Sequence, residues 1–170
     1  MNDPNRQSDC SQCASLCCVA FPFEDNEDFA VEKAAGEPCV HLGPKGQCRI
    51  HADKAEHGFG GCERYDCAGV GQAVTQGLFQ GRTWQDEPEL LPPMLAAFRG
   101  MRLARDLDDL LAAAGKLSLD MAERQRWQEL SAELAARQPW TEASIAALEG
   151  GNLPSQVRKF VATLARHVSR

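Results

Sequence analysis

Cys10-Ser11-Gln12-Cys13-Ala14-Ser15-Leu16-Cys17-Cys18 places four thiols in nine residues, and the rest of the chain is best understood from it. Cys39, Cys48, Cys62 and Cys67 complete a set of eight within the first 67 residues, and the remaining 103 residues hold none. The intervening sequence is broken by Gly36, Pro38, Gly43, Pro44, Gly46, Gly58, Gly60 and Gly61. Glycine and proline at such short intervals give turns and knuckles, not long elements. A stretch of this kind would struggle to build its own core, so thiolate-bound metal is expected to hold it together.

The spacing supports that chemistry. In Cys10-x-x-Cys13 two intervening residues let the chain turn while both sulfurs face one ion. Zinc takes four such ligands at tetrahedral geometry, and iron–sulfur clusters also draw on Cys-x-x-Cys runs. Cys17 and Cys18 are adjacent, and neighbouring side chains tend to diverge, so one of them is expected to face a second metal or the core. Cys39 and Cys48 flank Pro44-Lys45-Gly46, a turn able to bring them together, and four residues separate Cys62 from Cys67. Cys10, Cys13, Cys17, Cys18, Cys39, Cys48, Cys62 and Cys67 are therefore all metal-ligand candidates. Eight thiols fit two tetrahedral sites, one cluster plus a zinc, or a compact polynuclear site. Zinc is the expected metal, with an iron–sulfur cluster as the alternative.

The formal charge of −6 argues against nucleic acid as the main partner, because phosphate binding needs clustered lysine and arginine. Residues 1–85 carry a balance of −5 and residues 86–170 a balance of −1, so the cysteine-rich part is the acidic one. The first nine residues contain no apolar stretch of the secretory kind, and no run reaches the length of a membrane span. The expectation is a cytoplasmic protein without membrane contact. In a reducing compartment, metal or redox chemistry is favoured over disulfides.

Three regions follow: a polar, flexible start at 1–9, a cysteine-rich metal-binding module at 10–85, and a helical bundle at 86–170 on which the module packs. The expected fold class is mostly α, with helical turns over 52–57 and 67–76 inside the irregular module. From Asp86-Glu87-Pro88 onward, Ala, Leu, Glu, Arg and Gln dominate, all strong helix formers except for the punctuating residues. Pro92-Pro93 suit a first helical turn, and Met94, Leu95, Phe98, Met101, Leu107, Leu110 and Leu111 recur at helical spacing until Gly115. Ser118 is the expected N-cap of a second helix carrying Trp127, Leu130 and Leu134 on one face, ended by Pro139. Thr141 caps a third, running to Glu149 before the Gly150-Gly151-Asn152 break. Val157, Phe160, Val161, Leu164 and Val168 form the apolar stripe of the last helix, opposite a solvated basic face of Arg158, Lys159 and Arg166.

Taken together, Cys10-x-x-Cys13-x-x-x-Cys17-Cys18, Pro38-Cys39-Val40-His41-Leu42, Gly46-x-Cys48-x-Ile50-His51 and Gly61-Cys62 resemble the YkgJ-like CxxCxxCC proteins, a zinc- or iron-chelating group. The resemblance implies ligand roles for Cys10, Cys13, Cys17, Cys18, Cys39, Cys48 and Cys62, with Cys67 as an extra downstream cysteine. The chain departs from the group's pattern by one additional residue before the vicinal pair, by His51 in place of Tyr, and by Lys54-Ala55 in place of Arg-Pro. The stretch from Tyr65 to Gln72 also resembles a segment of some bacterial pentapeptide-repeat proteins, but no pentapeptide repeat is present here.

His41 and His51, close to cysteines, are candidates for ligation or for hydrogen bonds to sulfur, whereas His167 is expected at the surface. A single activated Cys/His pair would be a nucleophile, but crowded thiolates more often share a metal. Asp66 is expected to form a turn, and Gly69-x-Gly71 is too short for a nucleotide fingerprint. Gly58, Gly60 and Gly61 are expected to permit a tight backbone approach, and Trp84, Trp127 and Trp140 to anchor core or boundary. The functional expectation is a metal-binding protein whose thiolate cluster scaffolds a surface for a protein partner. The alternative is an iron–sulfur, metal-handling or redox-sensing protein. No catalytic acid/base pair beside an open metal position is legible, so enzyme activity is the least supported class.

Overall fold

The computed structural model describes residues 6–167; residues 1–5 and the stripe position Val168 lie outside the described part. The chain folds as two compact units, Met1–Arg99 and Gly100–Arg170. The division falls inside a helix, later than the change of composition at residue 86. Among the described residues the protein is mostly helical, with seven α-helices and no sheet.

The first unit is irregular, as its glycines and prolines predict. It contains a 3-10 turn at Cys10–Gln12 and the short helices α1 (Leu16–Ala20), α2 (Gly60–Arg64) and α3 (Val70–Gln72). A π-helix over Ala73–Leu78 continues α3, replacing the single turn expected over 67–76. The stretch 52–57 forms successive turns and not a helix; Gly58 closes it in the left-handed region at φ +78°. Extended pairing is limited to isolated bridges at Phe23–Lys33, Asn26–Phe29 and Leu42–Cys48.

The unit is better packed than its sequence suggests. Phe23, Ile50 and Phe59 form a small core, lined by Phe21, Phe29, Val31, Cys39, Cys48 and Cys62. Phe23 stacks on Phe29 with centroids 4.2 Å apart, and Phe59 meets Phe23 edge-on at 6.1 Å. The chain has only seven phenylalanines, but six of them precede residue 100, so a low aromatic content is locally concentrated. Large rings give much apolar burial per ordered residue, which is how a short irregular chain acquires a core.

The second unit follows the helical periodicity. Helix α4 (Leu91–Ala114) begins in the first unit and ends in the second, and Gly115 follows its last residue. Helices α5 (Met121–Ala135), α6 (Glu142–Glu149) and α7 (Leu153–Thr163) complete it, with a final 3-10 turn at Leu164–His167. Leu107, Leu130, Leu148, Leu153 and Val157 are almost wholly buried in one cluster, against which Trp127 and Trp140 pack. Gly100 faces the Ile145 side chain so closely that no Cβ would fit there, which fixes the approach of α6 to α4.

The helix starts refine the sequence reading. Asp120, not Ser118, caps α5: its carboxylate accepts from the Glu123 N–H at 2.9 Å while Glu123 accepts from the Asp120 N–H. This reciprocal arrangement satisfies two N–H groups at the helix start, which a serine two residues earlier could not do. Thr141 caps α6 as expected, paired with Ser144. Arg166 and His167 are not simple solvated surface. Arg166 bonds both Asp120 and Glu123, and the His167 ring lies 3.0 Å from Glu123 with its side chain only 19% exposed.

Candidate metal centre

The first knuckle is held from several sides. Asp9 caps the 3-10 turn by accepting from the Ser11 N–H at 2.9 Å, and the Cys13 N–H returns to the Cys10 carbonyl at 3.4 Å. Ser15 takes a left-handed conformation, φ +57°, where the chain enters α1 with Cys17 and Cys18. The backbone amides of Leu16 and Ser15 act to lower the pKa of the Cys13 thiol, against its burial. Buried Thr75 accepts from the Ala14 N–H at 3.0 Å and donates to the Gly71 carbonyl at 2.9 Å, linking the knuckle to α3. The indole of Trp84 donates to the Ala14 carbonyl at 2.8 Å.

Gly71 has a direct role at this site. A Cβ there would stand 2.5 Å from the Cys13 sulfur and 3.9 Å from the Cys67 sulfur. Both sulfurs therefore lie against one bare stretch of helix, although 54 positions separate them in sequence. Cys67 also lies 3.1 Å from the Ser8 hydroxyl, which donates to Asp66 at 2.5 Å. Asp66 accepts from the Ala68 N–H at 2.8 Å, the turn-forming role its position suggested. The polar start is tied here as well, since the Asp9 N–H donates to Gln72.

Cys39, Cys48 and Cys62 lie around the phenylalanine core. The Cys39 N–H donates to the Cys18 carbonyl at 3.0 Å, so the third segment is attached to the vicinal pair by its backbone. The turn at Pro44-Lys45-Gly46 brings Cys48 back, paired with Leu42. Cys62 sits in α2. Its neighbour Gly61 accommodates the Phe29 ring where no Cβ would fit, so this glycine serves the aromatic core and not a sulfur.

All eight cysteines are free, with Cys10 exposed and the others partly covered. The thiols of Cys10, Cys13, Cys17 and Cys62 have raised pKa values. Burial pushes Cys13 up to about 11, assisted by Cys17 and Cys67 and opposed by the Leu16 amide. Cys10 is raised by burial first, then by Cys17 and Cys67. A hydrogen bond with Cys18 is the main cause of the rise at Cys17, ahead of burial. Burial likewise lifts Cys62 to about 11, with Cys17, Cys39 and Cys48 adding to it.

Two residues that sequence reasoning missed complete the neighbourhood. Thr75 is one; Lys33, only 6% exposed, is the other. The Lys33 ammonium donates to the carbonyls of Val19, Ala34 and Glu37 at 3.3, 3.1 and 2.8 Å and sits 4.9 Å from the Phe23 ring centre. Burial lowers its pKa, and the nearby Cys39, Glu37, Cys18 and Cys62 oppose that shift. Nothing in the local pattern Val31-Glu32-Lys33 distinguishes a buried lysine from an exposed one.

The histidines contribute little through their rings. The His41 backbone N–H points to the Cys39 sulfur at 3.5 Å, while its imidazole packs edge-on against Phe59 at 4.8 Å. His51 is exposed, and His57 lies 3.3 Å from Asp53. As the side chains stand, no group of three or more His, Cys, Asp or Glu among the described residues is arranged to hold a metal ion. What the fold brings together is the Cys13 and Cys67 sulfurs against Gly71, with Cys39, Cys48 and Cys62 packed against the phenylalanine core.

These features define a cysteine-rich, mostly helical protein. It is homologous to the uncharacterized protein YybG of Bacillus subtilis (strain 168), 40% identical over 116 residues that make up 68% of this chain. The alignment takes in 41% of YybG, so the chain spans about two-fifths of that relative's length. No protein-family profile matches the chain, and no solved structure matches it. Among the described residues no helix is long and apolar enough to cross a membrane.

Proposed function

We propose that the first unit is a metal-binding module of the YkgJ-like CxxCxxCC kind, in which thiolate-bound zinc fixes a surface for a protein partner. The supporting observations are that all eight free cysteines belong to one irregular unit and that the Cys13 and Cys67 sulfurs meet against Gly71. The donors suit the metal: thiolates are soft ligands, and zinc sites in small modules are commonly completed by them. Amides directed at the Cys13 and Cys39 sulfurs would stabilise negative charge there, as hydrogen bonds around metal ligands do.

Zinc in this role supplies four-coordinate cross-linking without redox chemistry. The protein's residues position the sulfurs, screen most of them from solvent and place Lys33 beside the Cys39 side of the group. The exposed Cys10 favours a second reading, in which an accessible sulfur lets the module exchange metal or oxidise reversibly. Anaerobic purification with metal analysis and an absorption spectrum separates these readings. Stoichiometric zinc, no visible absorption and slow loss to a mild chelator are expected for the scaffold. Fast loss would indicate metal handling, and iron with sulfide in a brown protein would replace zinc with a cluster. A protein free of any metal would overturn the proposal.

A further inference from the structure

Resting on the second of those readings, reversible oxidation, we infer that Cys13 and Cys67 are a redox pair that a peroxide converts to an intrachain disulfide. The link would staple the first knuckle to the segment entering α3, and its chemistry needs no bound metal. Both sulfurs lie against Gly71, where a Cβ would stand 2.5 Å from the Cys13 sulfur and 3.9 Å from that of Cys67. The two sulfurs are therefore separated by no more than the sum of those distances, a gap on the scale of side-chain movement. The backbones that carry them are tied together around this point. Thr75 accepts from the Ala14 N–H at 3.0 Å and donates to the Gly71 carbonyl at 2.9 Å. Gln72 accepts from the Asp9 N–H at 2.6 Å and donates to the Gln7 carbonyl at 2.9 Å, and the Ser8 hydroxyl reaches the Cys67 sulfur at 3.1 Å.

The competing pairs are less well placed. Cys17 and Cys18 are consecutive, and consecutive Cα atoms stand about 3.8 Å apart, short of the roughly 4.4–6.8 Å that disulfides usually span. Cys10 is exposed, whereas the Cys13 sulfur is turned onto Gly71, and Cys39, Cys48 and Cys62 pack against the phenylalanine core. Hydrogen peroxide supplies the oxidant. One sulfur attacks a peroxide oxygen and the O–O bond breaks, leaving a sulfenic acid; the departing hydroxide takes up the thiol proton as water. The second sulfur attacks the sulfenic sulfur, the S–S bond forms as the S–O bond breaks, and a second water leaves. Two thiols lose one electron pair in all, and one peroxide is reduced to two waters.

The test exposes the anaerobically purified full chain to increasing hydrogen peroxide, quenches it by alkylation and maps linked peptides by mass spectrometry without reduction. The Cys13–Cys67 link is expected to form before any other, with loss of two hydrogens, and to disappear on addition of a reducing thiol. In denaturant the same treatment should favour Cys10–Cys13, because loop closure then counts against a pair 54 positions apart. A different first link in the folded protein, sulfinic acids at Cys13 and Cys67 without a link, or the same preference in denaturant would overturn the assignment. Metal analysis of the same sample separates the two readings. A metal-free protein that forms the Cys13–Cys67 link defeats the zinc reading and supports the redox pair, while a zinc protein with another first link defeats only the pair.

Discussion

Residues 100–167 bury Leu107, Leu130, Leu148, Leu153 and Val157 in a helical cluster with ordinary apolar contacts, whereas residues 6–99 bury phenylalanine rings and a lysine beside aliphatic residues such as Leu16, Val19, Val70 and Val74, with the thiols only partly covered. Aliphatic packing is nondirectional and asks nothing of the solvent beyond exclusion. Partly buried thiols and an ammonium ask for specific partners, and without them they cost free energy. The second unit is held mainly by its aliphatic cluster, while the first combines eight free thiols and a buried lysine with its aromatic core, which makes it the part to examine for metal chemistry.

The contrast can be challenged by substitutions that should affect one unit and spare the other. Leu130 is fully buried, so Leu130→Ala should cost about 2–5 kcal/mol in the second unit. Hydrogen exchange should show lost protection across α5 and α7, with residues 10–67 unchanged. Lys33→Met removes the donor from three carbonyls while keeping much of the side-chain volume. It should cost about 1–3 kcal/mol, read as faster exchange around 19–37. A neutral result would mean that those carbonyls find other donors and that Lys33 is not a structural anchor.

Asp120→Ala removes one side of the capping box and should cost about 1 kcal/mol, seen as fraying of the first turn of α5. The remaining prediction is one of sign. Asp120 and Glu123 have lowered pKa values, chiefly from backbone hydrogen bonds within the cap, so their contribution is present above the ordinary carboxylate range and lost on acidification. In chelated protein the Cys13 and Cys62 thiols have raised values, chiefly from burial, so their contribution is present below the ordinary thiol range and lost as pH rises towards about 11. Hydrogen exchange should therefore loosen the second unit first in acid and the first unit first in alkali. The same order in both directions would break the comparison.

The helices of the second unit were legible because apolar residues at 3.6-residue spacing record which face is buried. Thr141 and Gly150 were legible because caps carry local signatures. Ser118 misled because it stands two residues before Asp120, and only the reciprocal bond with Glu123 distinguishes them. In the first unit, cysteine spacing pointed to a shared site, but it carried no information on how Cys67 reaches Cys13. That depends on Gly71, whose importance appears only when α3 is packed beside the knuckle. The phenylalanine core escaped notice for a related reason: Phe21, Phe23, Phe29 and Phe59 show no regular period, so nothing local announces that they meet. Lys33 was hidden because its burial depends on the Val19 carbonyl of α1 joining those of Ala34 and Glu37 around its ammonium.

The central claim, that metal holds the first unit and apolar burial the second, is tested most directly by limited proteolysis of the anaerobically purified full chain before and after a strong chelator, with fragments mapped by mass spectrometry. The account predicts that chelation opens new cleavage sites within residues 10–67 while 100–167 stays resistant and helical. Unchanged resistance of residues 10–67 after complete metal removal, or in protein that never held metal, would contradict it and assign the stability of that unit to the phenylalanine core alone.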